Sequence, residues 1–197
     1  MAEVNEAVLG ALTRLLEDED VGVREAAAES LERLDSYRFL DGLLVALDAP
    51  DPGVVIRTLY ALAELRHEQA LGGIIKVLGH ARPALRATAA RLLGVLRDAR
   101  AIGPLVEMLD DPNPDVRMVA IDSLANFADR RLTGALLAQL QDPNPELREK
   151  VVEVLERLGD ARAAESLTAL LEDPEPGVRC RAATALGRLE MGEALSG

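Results

Sequence analysis

The heptapeptide Asp111-Pro112-Asn113-Pro114-Asp115-Val116-Arg117 returns as Asp142-Pro143-Asn144-Pro145-Glu146-Leu147-Arg148 and again as Asp173-Pro174-Glu175-Pro176-Gly177-Val178-Arg179. The interval is 31 residues each time. Carried back towards the N-terminus, the same ruler meets Arg86, Val55 and Arg24, so six slots are evenly spaced without an insertion or deletion. A fixed period of this length outweighs what 197 residues would otherwise imply about domain number. Each period is one supersecondary unit that buries its apolar face only by stacking on its neighbours.

Two helices fit into each period. Seven residues after the slot stand Leu31, Leu62, Leu93, Leu124, Leu155 and Leu186, and ten after it stand Leu34, Leu65, Leu96, Phe127, Leu158 and Leu189. With Ala27/Ala28, Thr58/Leu59, Ala89/Ala90, Ala120/Ile121, Val151/Val152 and Ala182/Ala183 at three and four, they make one stripe of a helix that follows the slot. The preceding helix carries Leu16, Leu47, Leu78, Leu109, Leu140 and Leu171 four residues beyond Leu12, Leu43, Ile74, Leu105, Leu136 and Leu167. The expected fold is therefore an all-α solenoid of six two-helix repeats over residues 4–35, 36–66, 67–97, 98–128, 129–159 and 160–190, a single domain with a short tail at 191–197.

The recurring turn joins the two helices. Pro52, Pro83, Pro114, Pro145 and Pro176 share a column, suited to the first helical position where no backbone N–H is needed. The residues before them include Asp51, Asn113 and Asn144, all good N-caps, and Asp20 holds that column in repeat 1. Asp18, Asp111, Asp142 and Asp173 each lie six residues before the slot arginines Arg24, Arg117, Arg148 and Arg179. We expect a structural ladder of these residues and Arg86, each arginine bonding an aspartate in its own turn and a neighbouring repeat. Repeat 2 has Ala49 and Val55 at the two places, read as a paired loss and a soft seam. A second aspartate column, Asp98, Asp129 and Asp160, preceded by His67 and Ser36, is expected to cap the next helix or bind loop amides.

The chain is acidic, with net charge −12 and only 2% aromatic residues. Such a field repels phosphate backbones and offers few stacking platforms, so nucleic acid is not the expected partner. Cys180 is the only cysteine, and no apolar run is long enough to cross a bilayer; the expected location is the cytoplasm, with no membrane partner. Residues 1–34 carry nine acids and three bases, half the total charge, which suits a terminal capping repeat. Residues 191–197 offer no polar cap at the other end, so self-association through the last repeat is a further expectation.

Period, two-helix unit, turn proline and Asp/Arg pairing together resemble the HEAT repeat family, and most closely the short HEAT-like repeats of phycobilisome (bilin) lyases. The likeness is carried by Asp111 to Arg117, Ala120, Leu124 and the run Asp98-Ala99-Arg100-Ala101-Ile102-Gly103-Pro104-Leu105, and it extends over about residues 4–190. It implies a right-handed superhelix whose second helices line a concave face. Positions one and five past the slot would face out there, and we single out Ile56, Tyr60, Arg91, Met118, Asp122, Glu149 and Glu153 as partner-binding, an apolar centre with an acidic rim.

Nothing in the sequence points to a catalytic, cofactor-binding or metal site. His67-Glu68 resembles the His-Glu pairs of deoxyhypusine hydroxylase, a HEAT-like di-iron enzyme, but stands alone. Both histidines, His67 and His80, fall in columns held elsewhere by structural aspartates. The expected function is a non-enzymatic scaffold or adaptor that binds a partner protein on the concave face. The alternative, implied by the resemblance, is a subunit of a bilin lyase or similar protein-modifying enzyme.

Overall fold

A computed structural model describes residues 6–196, with side chains described for 6–189. All regular structure among the described residues is helical. The chain divides into two compact units, residues 1–62 and 63–197. The division falls inside repeat 2, the repeat that has neither the turn aspartate nor the slot arginine.

The first unit contains α1 (Glu6–Leu15), α2 (Val21–Ala46) and most of α3 (Pro52–Leu65). The expected break between repeats 1 and 2 at Ser36 is absent, because α2 runs through it for 26 residues. Ser36 is therefore a helical residue and caps nothing. The cause lies in what the other repeats do here. Arg66, Arg97, Ala128 and Gly159, again 31 apart, take positive φ between 48° and 58° and close their helices. For a residue with a Cβ this conformation costs about 1–2 kcal/mol and must be offset by packing of the helix that follows. In the second unit that helix buries Ala70, Ala101, Leu132 or Ala163 at one position. In the first unit Phe39 holds this position, too bulky for a slot filled mostly by alanine, and it is 59% exposed. Asp35, in the left-handed column, stays helical.

The second unit contains α4 (Glu68–Val77), α5 (Pro83–Leu96), α6 (Ile102–Glu107), α7 (Pro114–Ala125), α8 (Thr133–Ala138), α9 (Pro145–Leu158), α10 (Ala164–Ala169) and α11 (Pro176–Ser196). The prolines begin α5, α7 and α9 as expected, and the Asn113 and Asn144 side chains accept from amides of the first turn. Short 3₁₀ turns flank α6, α8 and α10, at 99–101 and 108–110, 130–132 and 139–141, and 161–163 and 170–172. Their tighter bonds take up carbonyls that an α-helix end would leave free.

The leucine columns form the core: Leu93, Leu124 and Leu155 are fully buried, as are Leu105, Leu136 and Leu167. A column absent from the expected stripe, one residue before the slot, is buried too: Leu85, Val116, Leu147 and Val178. Small residues set the closest helix approach. A Cβ on Gly94 of α5 would lie 2.6 Å from the Ser123 Cβ and 2.7 Å from its Cα on α7, so only glycine fits. The expected apolar stripes fail at Leu16, Ala28, Leu65, Leu171 and Ala183, which are exposed. The last helix does not stop at residue 190 but continues to Ser196. The reading of the tail as uncapped rests on side chains outside those described.

Candidate functional site

The slot arginines are the most regular polar feature, and their geometry differs from expectation in one respect. The carboxylate each one grips belongs to the next repeat, 25 residues on. Arg86 donates from Nε and Nη2 to the two oxygens of Asp111, both at 2.7 Å. Arg117 does the same to Asp142 at 2.8 and 3.2 Å, and Arg148 to Asp173 at 2.8 and 2.7 Å. The third donor, Nη1, turns back to its own turn and meets a backbone carbonyl there: His80 for Arg86, Asp111 for Arg117, Asp142 for Arg148. Arg117 and Arg148 meet the own-turn aspartate through its backbone carbonyl, while its Oδ1 accepts the amide two residues on, as Asp111 does from Asn113. Each guanidinium thus satisfies at least three acceptors with its planar fork, staples two repeats, and fixes the loop between them.

This register corrects the reading of repeat 2. Ala49 and Val55 are not two halves of one pair; the 25-residue pairs are Arg24 with Ala49, and Val55 with His80. Arg24 is left with only the carbonyls of Asp18 and Glu19 as acceptors among the described residues. Among the described residues Arg179 likewise donates only from Nη1, to the carbonyls of Asp173 and Pro174.

The clasps shift the acid–base behaviour of their members. The hydrogen bond to Asp173 raises the pKa of Arg148 against burial, and that to Asp111 raises the pKa of Arg86 in the same way. The bond from Arg148 lowers the pKa of Asp173. Burial works against the charged form of Asp111, but hydrogen bonds from Arg86 and the Asn113 amide outweigh it and lower its pKa.

The second aspartate column begins each following repeat. Asp98, Asp129 and Asp160 accept the amides of Arg100, Arg131 and Arg162 and pair with the side chains of the same arginines. The Arg100 side chain holds the pKa of Asp98 at about 2. Between repeats, Arg100 reaches Glu68 at 2.6 Å, the Thr133 hydroxyl donates to the buried Asp160 at 2.8 Å, and Arg188 pairs with Glu156. The histidines sit in these columns as aspartate substitutes. His67 Nδ1 accepts from the Gln69 amide at 3.2 Å, and His80 Nδ1 accepts from the Arg82 amide at 3.0 Å. Among the described residues, no three His, Cys, Asp or Glu side chains converge as a metal site would require.

The proposed partner residues lie in both units. In the first, Tyr60 is 50% exposed, whereas Ile56 is half-buried rather than free. In the second, Arg91 and Asp122 are exposed, and Met118, Glu149 and Glu153 are half-buried. A residue outside the expected set organises this face. Lys150 on α9 reaches Asp122 on α7 at 3.2 Å and Glu153 at 3.3 Å. Burial opposes its charge, but these two carboxylates prevail and raise its pKa. The sequence signal was available: Lys150 is one of only two lysines and stands beside Glu149 and Glu153. A cleft of about 440 Å³ opens elsewhere, between the 111–112 and 142–143 turns, with Asp110 and Gln139 at its wall.

No helix among the described residues is long and apolar enough to cross a membrane. No curated protein sequence matches the chain. Among solved structures it is similar to the complex of CpcE and CpcF of phycocyanin lyase from Nostoc sp. PCC7120, with 26% identity and a TM-score of 0.59. That alignment covers 77% of this chain and 65% of the other, so the chain spans less than two thirds of that relative's length. A designed armadillo repeat protein in complex with the peptide (KR)4 aligns over 92% of this chain and 99% of its own, at 20% identity and a TM-score of 0.55. YibA of E. coli aligns over 97% and 79%, at 16% identity and a TM-score of 0.60. The family model for HEAT repeats matches residues 1–63, 40–125 and 133–196, and with the helix pairs and inter-repeat clasps already described it identifies this chain as a member of the HEAT repeat family.

Proposed function

We propose that the chain is a non-catalytic scaffold that holds a basic, extended segment of a partner protein against the second-helix face of its second unit. Arg91, Met118, Asp122, Glu149 and Glu153 make that face, and Tyr60 with Ile56 offers a separate apolar contact on the first unit. The observation that carries the reading is the occupation of the buried polar groups. Among the described residues no buried side-chain nitrogen or oxygen lacks a partner, which fits an Asp/Arg lattice that supports the stack. What remains is surface chemistry, and here the surface is acidic around a methionine. The fold is one that a designed relative uses to hold (KR)4, and net charge −12 favours the same kind of ligand.

The test is fluorescence polarisation with labelled (KR)4 and an acidic peptide of equal length. The basic peptide should bind, bind less as salt rises, and bind less again to Glu149→Lys/Glu153→Lys. Equal binding of both peptides, or no effect of the substitution, would reject this face.

One specific observation favours a second reading, a subunit of a bilin lyase: the 26% identity to the phycocyanin lyase complex over 77% of the chain. Mixing the protein with bilin and an apo-phycobiliprotein, alone and with candidate second subunits, would give a covalent coloured adduct on that reading and none on the scaffold reading.

A further inference from the structure

The clasps have a direction: each guanidinium fork points to the following repeat, and each turn carboxylate is gripped from the preceding one. Two half-clasps are left over. The Nε and Nη2 of Arg179 have no acceptor among the described residues, although its Nη1 is anchored to the turn as in the complete clasps. At Asp18 the carboxylate accepts the Asp20 amide, and its carbonyl accepts from Arg24, as in a complete turn, but no guanidinium among the described residues grips it. The Arg179 repeat carries a pre-oriented donor, the Asp18 repeat a pre-oriented acceptor.

We propose that the C-terminal repeat of one molecule docks on the N-terminal repeat of a second copy, with the Arg179 fork closing on the second copy's Asp18 carboxylate. The apolar surface around the two half-clasps is uncovered in the same sense. Leu171 is 37% exposed, whereas Leu78, Leu109 and Leu140 in its column are buried. Ala183 is exposed, whereas Ala90, Ile121 and Val152 are buried. On the acceptor side Val8 is 48% exposed and α1 has no buried residue. Charge selects the same occupant. Residues 1–34 carry a net −6, which disfavours pairing of two N-terminal repeats with each other, whereas α11 presents Arg179 and the exposed Arg181. A contact between unlike surfaces adds copies head to tail, into a ring where the rotation closes and an open chain where it does not.

Sedimentation equilibrium of the intact chain tests this directly. The wild type should show a weight-average mass that rises above the monomer value with rising concentration. Arg179→Glu alone, or Asp18→Arg alone, should weaken association roughly thirtyfold or more, as expected for breaking an interfacial charge pair. An equimolar mixture of the two single variants should assemble. The carboxylate introduced by Arg179→Glu then meets the guanidinium introduced by Asp18→Arg, and the native Arg179 and Asp18 meet at the alternate contact. Circular dichroism of each variant separates lost docking from lost folding, and the mixture keeps the test decisive if one turn is loosened. A monomer at all concentrations, or failure of the mixture to reassemble, would overturn the proposal.

Discussion

The first and second units are built from the same 31-residue template, yet they hold together differently. In the second, three bidentate clasps join successive repeats, left-handed residues end the helices on register, and most of the leucine columns are buried. In the first, Arg24 meets no carboxylate among the described residues, α1 has no buried residue, and two template helices are fused into α2. Most of the exposed large apolar side chains belong to the first unit: Val8, Leu15, Leu16, Val21, Tyr37, Phe39, Val45 and Tyr60. Apolar periodicity makes helices in both units. What turns helices into a registered stack is the polar fastening between them.

That difference can be broken most severely at a clasp. Asp173→Ala leaves the Arg148 guanidinium half-satisfied in a site where both side chains are largely buried. Removing one partner of such a pair costs ~3–5 kcal/mol, whereas replacing both by apolar residues of similar volume is near neutral. Denaturant unfolding followed by circular dichroism should show a large loss for Asp173→Ala and a small one for Arg148→Met/Asp173→Leu. In the first unit, Asp18→Ala removes only an exposed turn bond and should change stability by less than ~1 kcal/mol.

Next in size is the helix contact at Gly94. Gly94→Ala pushes a methyl into the Ser123 backbone, and the resulting shift of α5 against α7 costs ~1–3 kcal/mol. The same substitution at Gly42 of α2, where a Cβ meets nothing, should stabilise by ~0.5–1 kcal/mol through helix propensity. Thermal melts of the two variants should therefore move in opposite directions.

The fold was legible because its information is periodic. The period of 31, the turn prolines and the N-caps are local signals, and the structure places the helices of the second unit where they indicate. Three things were not legible, each for a physical reason. Which repeat supplies the carboxylate to an arginine depends on the three-dimensional offset between stacked turns, and residues 6 and 25 apart in sequence fit the same spacing rule. The fusion of α2 turns on whether a following helix packs well enough to offset a left-handed residue, and that depends on Phe39 rather than on Asp35 or Ser36. The half-burial of Ile56 and Met118 follows from neighbouring columns, which a helical wheel drawn for one helix alone does not contain. The candidate face was legible as positions but not as chemistry, because Lys150 joins acids from two different helices.

A third, smaller contrast concerns the helix ends. Gly159 has φ +58°, and Gly159→Ala should cost ~1 kcal/mol, since alanine in that region is strained. Asp35→Gly places the same residue in the same column of the first unit, where the chain is helical. If packing rather than the left-handed residue decides the break, this variant loses only ~0.3 kcal/mol of helix propensity and keeps α2 continuous. Amide exchange across residues 32–40 reads that continuity: a gain in exchange confined to 35–37 would instead show that glycine alone is enough to split the helix.

The smallest effect is on acid stability. Asp98, Asp111, Asp129, Asp160 and Asp173, all in the second unit, have carboxyl pKa values lowered in the folded state. A group depressed on folding contributes stability above its unfolded pKa, near 3.9, and loses it as pH falls through the folded value. For Asp98 that window runs from about 4 down to about 2. Because the Asp98–Arg100 pair is partly exposed, its contribution is screened and small at neutral pH. Asp98→Asn should thus leave the melting temperature at pH 7 almost unchanged and flatten the loss of stability between pH 4 and pH 2, since an amide has no proton to gain there. An identical acid limb for wild type and Asp98→Asn would mean that the cap, with its amide and guanidinium bonds, is no stronger in the folded chain than solvation is in the unfolded one.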